Sequence, residues 1–154
     1  MEKKDLIKLI DKFLLEKGFK LQKKSGRGIL YIYETKDLFL RFFLDHSSYS
    51  DLKYLRYTFG IKALCGDVYD ETNPFIGSFY SQLNMGALAP KDFDSVRLYA
   101  ELNKLYLKYL EPIIEKGLEY ICSSKSLISK EPKNFFIKEV LEYINQYKVA
   151  NKIK

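Results

Sequence analysis

The hydrophobic pattern at the start of the chain predicts an amphipathic helix followed by a β-hairpin. Between Asp5 and Lys17, apolar residues recur at helical spacing, at Leu6, Ile7, Leu9, Ile10, Phe13 and Leu14. Gly18 is suited to ending this helix because glycine adopts left-handed backbone geometry without penalty. Residues 19–24 and 29–35 have strand-like patterns, and the glycine-rich residues 25–28 between them predict a reversal of the chain.

Two more strands are indicated in the next part of the chain. Residues 38–44 have large apolar side chains on both faces of an extended segment, which predicts a central strand. Residues 54–63 alternate with a period of two and predict a fourth strand. Between residues 66 and 94, glycines and prolines interrupt the pattern, so we expect irregular structure with one short strand near Phe79–Leu83.

The remaining sequence is typical of helices. Asp94 or Ser95 can cap a helix whose apolar positions extend to Ile121, and Pro112 predicts that this helix is kinked or divided in two. A last helix is expected over residues 132–147. We therefore predict one α+β domain over residues 1–154, with an N-terminal helix, an antiparallel sheet of about four strands, an irregular middle segment and two or three C-terminal helices.

The charge of the chain narrows the choice of partners only slightly. Its 26 Lys and Arg against 20 Asp and Glu give a net charge of +6, with basic ends and a slightly acidic middle. Such a balance suits an anionic partner and also keeps a protein soluble. There is no secretory signal pattern, and no apolar run approaches the ~18 residues of a membrane span. We expect a cytoplasmic protein that does not bind a membrane.

Few side chains suit catalysis or metal binding. With a single histidine, His46, triads and sites that need two imidazoles are excluded. Cys65 and Cys122 are not in a C-x-x-C pair and are expected to be buried free thiols, with a disulfide between them as the alternative. We predict no catalytic residue, no metal site, no cofactor and no enzymatic activity. A metal-dependent enzyme is kept as one alternative, because carboxylates gather in residues 67–71 and 92–94.

The aromatic content favours binding to another protein. The chain has 13 Tyr, 11 Phe and no Trp, which is more tyrosine than one small core can accommodate with its hydroxyls satisfied. Tyrosine is enriched in protein interfaces, often in loops. The tyrosines in excess are Tyr49, Tyr54, Tyr69, Tyr80, Tyr99, Tyr109, Tyr120 and Tyr143. The partner-binding residues predicted in the two irregular loops are Asp45, Tyr49, Asp51, Asp67, Tyr69, Asp70, Glu71 and Tyr80.

Nucleic-acid binding by the N-terminal hairpin is a second alternative. The candidate residues are the cations Lys20, Lys23, Lys24 and Arg27, with Tyr31 and Tyr33 as stacking rings. Cations mixed with exposed rings are typical of proteins that bind single strands.

Residues 5–65 resemble a family of small bacterial proteins of unknown function. The matching positions are Phe13, Gly18-Phe19-Lys20, Lys23-Lys24, Tyr31 and the segment 57–61. Proteins of that family are grouped with the immunity proteins of bacterial polymorphic toxin systems. The resemblance implies a protein that neutralises a cognate toxin by binding it, and our leading hypothesis is that it acts by occlusion rather than by chemistry. Inhibitors of toxins that cut nucleic acids are commonly acidic, so the basic charge argues against that toxin class.

Overall fold

The computed structural model describes residues 1–46, 51–76, 83–123 and 138–153, and it confirms the α+β class. An N-terminal helix precedes an antiparallel sheet, and several helices follow an irregular segment. The elements are α1 (Lys3–Glu16), β1 (Lys20–Lys24), β2 (Gly28–Glu34), β3 (Leu38–Asp45), β4 (Lys53–Ile61), α2 (Lys62–Cys65), β5 (Leu83–Leu88), a 3-10 turn (Pro90–Asp92), α3 (Ser95–Leu105), a π-helix (Tyr106–Leu110), α4 (Glu111–Lys116), α5 (Leu118–Cys122) and α6 (Lys138–Ala150).

Within the described ranges the sheet has five strands in the order in which they occur along the chain, so β3 is central, as predicted, and β1 and β5 are its outer strands. The sequence indicated about four strands and a short one near Phe79–Leu83. The fifth strand begins at Leu83, and residues 79–82 of the predicted segment lie outside the described residues. In β5 the buried residues are Leu83, Met85 and Leu88, because Gly86, with φ of 135°, interrupts the alternation.

The chain divides into two compact units. Unit 1 consists of Met1–Tyr33, Arg41–Tyr57 and Asn84–Glu111, and unit 2 consists of Glu34–Leu40, Thr58–Leu83 and Pro112–Lys154. The prediction of one domain over residues 1–154 stays a prediction.

The core of unit 1 joins α1 and α3 to apolar residues of the strands. Asp94 caps α3 as predicted, because its Oδ1 accepts a hydrogen bond from the Arg97 N–H at 2.8 Å. A cavity of about 10 Å³, smaller than the space of a single side chain, lies among these elements. It is lined by Ile10, Phe13, Leu14, Phe42, Leu55, Met85, Leu102, Leu105, Tyr106 and Leu110.

The first two strands pair with a β-bulge in β1. Lys20 is opposite Ile32 and Leu21 is opposite Tyr31, but the next pair joins Lys23 to Leu30. Gln22 is therefore the extra residue.

In unit 2, Asp37 connects the β2–β3 turn to two helices. Its backbone carbonyl accepts the Lys62 N–H at 2.9 Å, and its Oδ2 accepts the Leu118 N–H at 3.3 Å. Residues 62–63 were expected to continue the fourth strand, and that expectation is wrong: after Ile61 the chain forms α2, which ends at Gly66 with φ of 90°.

The predicted interruption at Pro112 takes the form of a π-helix. Proline has no N–H and its ring clashes with the preceding turn, and the wider turn at Tyr106–Leu110 comes just before α4, whose first turn contains Pro112. The predicted last helix corresponds to α6, and residues 132–137 of that prediction lie outside the described residues.

None of the helices in the described ranges has both the length and the apolar character required to cross a bilayer.

Candidate functional site

An open apolar groove lies between α1 and α3 in unit 1. Its volume is about 390 Å³, within the range of about 300–1,000 Å³ that is usual for binding sites. Leu9 and Phe13 are one helical turn apart on α1, and Val96 and Tyr99 are one turn apart on α3. The remaining lining residues, Lys12, Glu16 and Ser95, are exposed. We call this feature the α1–α3 groove.

Aromatic contacts fix the floor of the groove and leave its wall accessible. The Phe13 ring is only 2% exposed and meets the Tyr99 ring edge to face, with centroids 5.5 Å apart. Tyr99 is 47% exposed and Val96 is 80% exposed. Apolar surface is therefore available on α3 beside a floor that is already packed.

A second ring and a cation also contact Phe13. The Phe13 and Tyr106 rings are also edge to face, with centroids 6.0 Å apart. The Lys17 ammonium lies 5.4 Å from the Phe13 centroid and 4.7 Å from the Tyr106 centroid, a favourable position for a cation above aromatic faces. Phe13 is therefore in contact with two aromatic rings and one ammonium group.

The charged groups of the groove lie on its rim. Lys12 and Glu16 are one turn apart on α1, with 3.9 Å between Nζ and Oε1, and both side chains are mostly exposed. Exposed pairs of this kind contribute about 0.3–0.5 kcal/mol to stability. Either side chain can therefore leave the pair and bind a charged group of a partner with little loss of stability. The groove suits binding by shape and apolar contact, with two charges to orient the partner.

The predicted partner-binding residues near residue 50 are separated by undescribed chain. Asp45 ends β3 and Asp51 comes shortly before β4, whereas Tyr49 lies outside the described residues. Close to them is Lys53, a lysine only 2% exposed. Burial lowers its pKa and so does the charge of Lys3, while Asp51 and Asp45 oppose the shift.

His46, the only histidine, is at the end of β3. Its backbone carbonyl accepts a hydrogen bond from Lys3 Nζ at 3.4 Å. Among the described residues, no group of three or more His, Cys, Asp and Glu side chains is placed to hold a metal ion.

The second predicted set forms an exposed acidic turn in unit 2. Asp67, Asp70 and Glu71 are exposed, and Val68 between them is 80% exposed. The Thr72 hydroxyl and N–H both donate to Asp70 Oδ1, at 2.7 and 2.9 Å, and these bonds lower the pKa of that carboxyl. We call residues 67–71 the acidic turn.

Side-chain contacts anchor the acidic turn. Asn73 Nδ2 donates to the Cys65 carbonyl at 3.0 Å. The Tyr69 ring is half-buried against Phe39, with centroids 5.6 Å apart. Tyr69 therefore supports the turn rather than extending from it, and Tyr80 lies outside the described residues.

The structure contradicts part of the nucleic-acid interpretation. Lys20, Lys23, Lys24 and Arg27 are all exposed, as that interpretation requires. Tyr31, however, is fully buried, and its hydroxyl donates to Asp11 Oδ1 at 2.6 Å. Burial and the neighbouring carboxylate raise the pKa of Tyr31 far above its usual value. A ring held in this way cannot stack on a base, so the assignment of Tyr31 as a stacking residue is wrong.

Both cysteines are free and buried, as predicted. Burial raises the pKa of Cys65, and it raises the pKa of Cys122 to about 11. Because the thiolate is the reactive form, both are poor nucleophiles in the folded protein.

Sequence reasoning did not identify the α1–α3 groove. The buried stripe of α3 is Leu98, Leu102 and Leu105, and Tyr99, which the sequence placed among the tyrosines in excess of the core, lies outside that stripe. Val96 and Tyr99 form a second apolar pair one turn apart, outside that stripe. Such a pair beside a buried stripe is the pattern that could have revealed the groove.

Comparison of the chain with known protein families, with curated proteins and with solved structures finds no match.

Proposed function

We propose that the protein is a non-enzymatic binding module that holds another protein in its α1–α3 groove. The observation that supports this most directly is the exposure of Val96 and Tyr99 beside the packed floor formed by Phe13. Exposed apolar surface next to a concavity is typical of interaction sites, and tyrosine is among the residues that contribute most to binding energy. The partner inserts an apolar side chain between α1 and α3.

The acidic turn is a second contact surface in this proposal. Asp67, Asp70 and Glu71 present negative charge from an anchored segment, and Val68 adds exposed apolar area. Charges of this kind act mainly on the rate at which a partner with a basic surface associates. Asp45 and Asp51 are proposed to contact the basic surface of the partner in the same way.

The partner in this proposal is a bacterial toxin, which the protein neutralises in the cytoplasm by covering its active surface. The family resemblance of residues 5–65 supports this, and one of its matching positions, Phe13, is the floor of the groove. Occlusion requires shape and apolar contact but no catalytic group.

Matched valine substitutions test the binding proposal. Tagged wild type, Val96→Asp and Val149→Asp are used to capture proteins from a lysate of the source cells. Val149 is 81% exposed on α6 and is therefore the control for Val96. Because Val96→Asp places a carboxylate in an apolar contact, it is expected to weaken capture by at least about 10-fold, whereas Val149→Asp retains it. Equal capture by both variants would refute binding in the groove.

The captured protein then tests the toxin assignment separately. Expressed alone it should stop growth, and co-expression with wild type or Val149→Asp should restore growth while Val96→Asp should not. A captured protein that is harmless by itself would refute the immunity role and leave the groove as a protein-binding site.

A further inference from the structure

Strand β1 presents positive charge at one edge of the sheet. All five of its residues are exposed, and among the residues that the structure describes β1 has a neighbouring strand on one side only. Lys20, Lys23 and Lys24 lie in this strand and Arg27 lies in the turn that follows, while no acidic residue occurs between Gly18 and Tyr33. In the described part of the chain, none of these four cations forms an ion pair. We call the four cations the basic edge.

The β-bulge brings two of these lysines to one face of the sheet. Lys20 and Lys23 are opposite Ile32 and Leu30, which are two residues apart in β2 and therefore point to the same side. Directly opposed residues share a face, so Lys20 and Lys23 are neighbours about 7 Å apart along the strand. In a regular strand their three-residue spacing would place them on opposite faces.

Features of the edge argue against two kinds of partner. Lysines and a bulge on an edge strand discourage the addition of another strand, so a peptide that pairs with the backbone of β1 is disfavoured. Unstacked bases need exposed rings, but Tyr31 is buried and the Tyr33 ring packs on Phe19 at 5.3 Å. The type of partner that remains is one whose regularly spaced anions contact the side chains of these cations.

We propose that the basic edge binds the phosphate backbone of a nucleic-acid duplex without reading its sequence. A duplex presents closely spaced phosphates without requiring any ring to stack, which matches a surface rich in cations and poor in exposed aromatic faces. This activity goes beyond the proposed protein binding and uses residues that do not line the α1–α3 groove.

The number of cations sets the expected salt dependence. Four phosphate contacts give a slope of log affinity against log salt of about −3.6, so raising the salt from about 50 to about 200 mM should weaken binding about 100-fold. The measurement is fluorescence anisotropy of a labelled DNA duplex of about 20 base pairs, with duplexes of different sequence expected to bind equally.

A charge-matched pair of variants separates the basic edge from the net charge. The test variant replaces Lys20, Lys23 and Lys24 by Gln, and the control replaces three exposed lysines elsewhere by Gln, namely Lys91, Lys104 and Lys116. The test variant should lower the slope to about −1, while the control should retain most of the wild-type slope. Circular dichroism verifies folding. If the triple variant does not fold, single Lys20→Gln and Lys23→Gln variants should each reduce the slope by about 1.

Three results would overturn the proposal. They are equal loss of binding in the test and control variants, tighter binding of a single strand of the same length, and binding to phosphatidylserine vesicles without binding to the duplex.

Discussion

Replacement of Gly117 by alanine should be among the most damaging small substitutions in unit 2. Gly117 lies between α4 and α5 with φ of 58° and ψ of −132°, a conformation that residues with a side chain rarely adopt. A Cβ atom at this position would overlap Oδ1 of Asp37. The other oxygen of that carboxylate accepts the Leu118 N–H, so Asp37 cannot move away without losing a hydrogen bond.

The expected destabilisation is the sum of two physical effects. A side chain in a backbone conformation with positive φ costs about 1–2 kcal/mol. Displacement of Asp37 adds about 1–2 kcal/mol, because its bonds to the Leu118 N–H and to the Thr35 hydroxyl are weakened. We therefore expect the free energy of unfolding to fall by about 2–4 kcal/mol, with a decrease in Tm of roughly 5–15 °C for a chain of this length.

Two other glycines supply matched controls. Gly66 has φ of 90° but open space around its Cα, so Gly66→Ala introduces the conformational cost alone. Gly26 has neither a positive φ nor a close neighbour, so Gly26→Ala should change the stability very little. Thermal and urea denaturation followed by circular dichroism should rank the losses in the order Gly117→Ala, Gly66→Ala, Gly26→Ala.

A double variant tests the assigned cause. Asp37→Ala removes the group that Cβ would overlap, so adding Gly117→Ala to it should cost clearly less than Gly117→Ala costs in the wild type. The reasoning would be refuted if the two costs were equal, or if Gly117→Ala were no worse than Gly66→Ala.

Two further predictions concern buried titratable groups. Because the folded pKa of Tyr31 lies above its unfolded value of about 10, folding suppresses its ionisation, and the stability it provides is lost as the pH rises above that value. Tyr31→Phe should therefore lower the free energy of unfolding by about 1–3 kcal/mol at neutral pH, because the bond to Asp11 is lost. In urea titrations, the stability of this variant should fall less than that of the wild type as the pH rises toward about 11. A parallel fall in the two proteins would contradict this assignment. Cys65 and Cys122 should react very slowly with a thiol reagent at pH about 8 in the native protein and quickly in denaturant, and rapid native labelling would show that the thiols are accessible.

Much of the fold could be predicted because local signals agree with one another. The helical spacing that ends at Gly18, the glycine-rich reversal before Gly28 and the capping residue Asp94 each have a physical cause within a few residues. The central position of β3 followed from apolar side chains on both faces. These features depend on the backbone preferences of short segments, which a single sequence displays directly.

The errors in the fold arise where a residue departs from a regular period. Gly86 interrupts the alternation in β5, so the strand could not be placed from its pattern. Residues 62–63 continue the alternation of β4, yet the chain turns into α2 at Lys62, whose N–H is bonded to the distant carbonyl of Asp37. A contact between residues so far apart in sequence leaves no local signal.

The candidate site was harder to predict than the fold. Tyr31 was assigned to base stacking from its residue type and strand position, but its hydroxyl is paired with Asp11 of another element. The α1–α3 groove likewise depends on how two helices pack, and Val96 by itself is an ordinary surface valine. Exposure of the acidic turn was predictable because charged residues between Gly66 and Pro74 have little apolar surface to bury.

Because of the bulge at Gln22, β1 can lose one residue without a change in its pairing with β2. Loss of one residue from a strand normally inverts every side chain beyond the deletion, but deletion of Gln22 would leave Lys20, Leu21, Lys23 and Lys24 opposite their present partners in β2. The same deletion would straighten the outer edge and remove an obstacle to pairing with another chain. Deletion of the one codon for Gln22 would thus preserve the pattern of surface charge while making the protein more prone to aggregate.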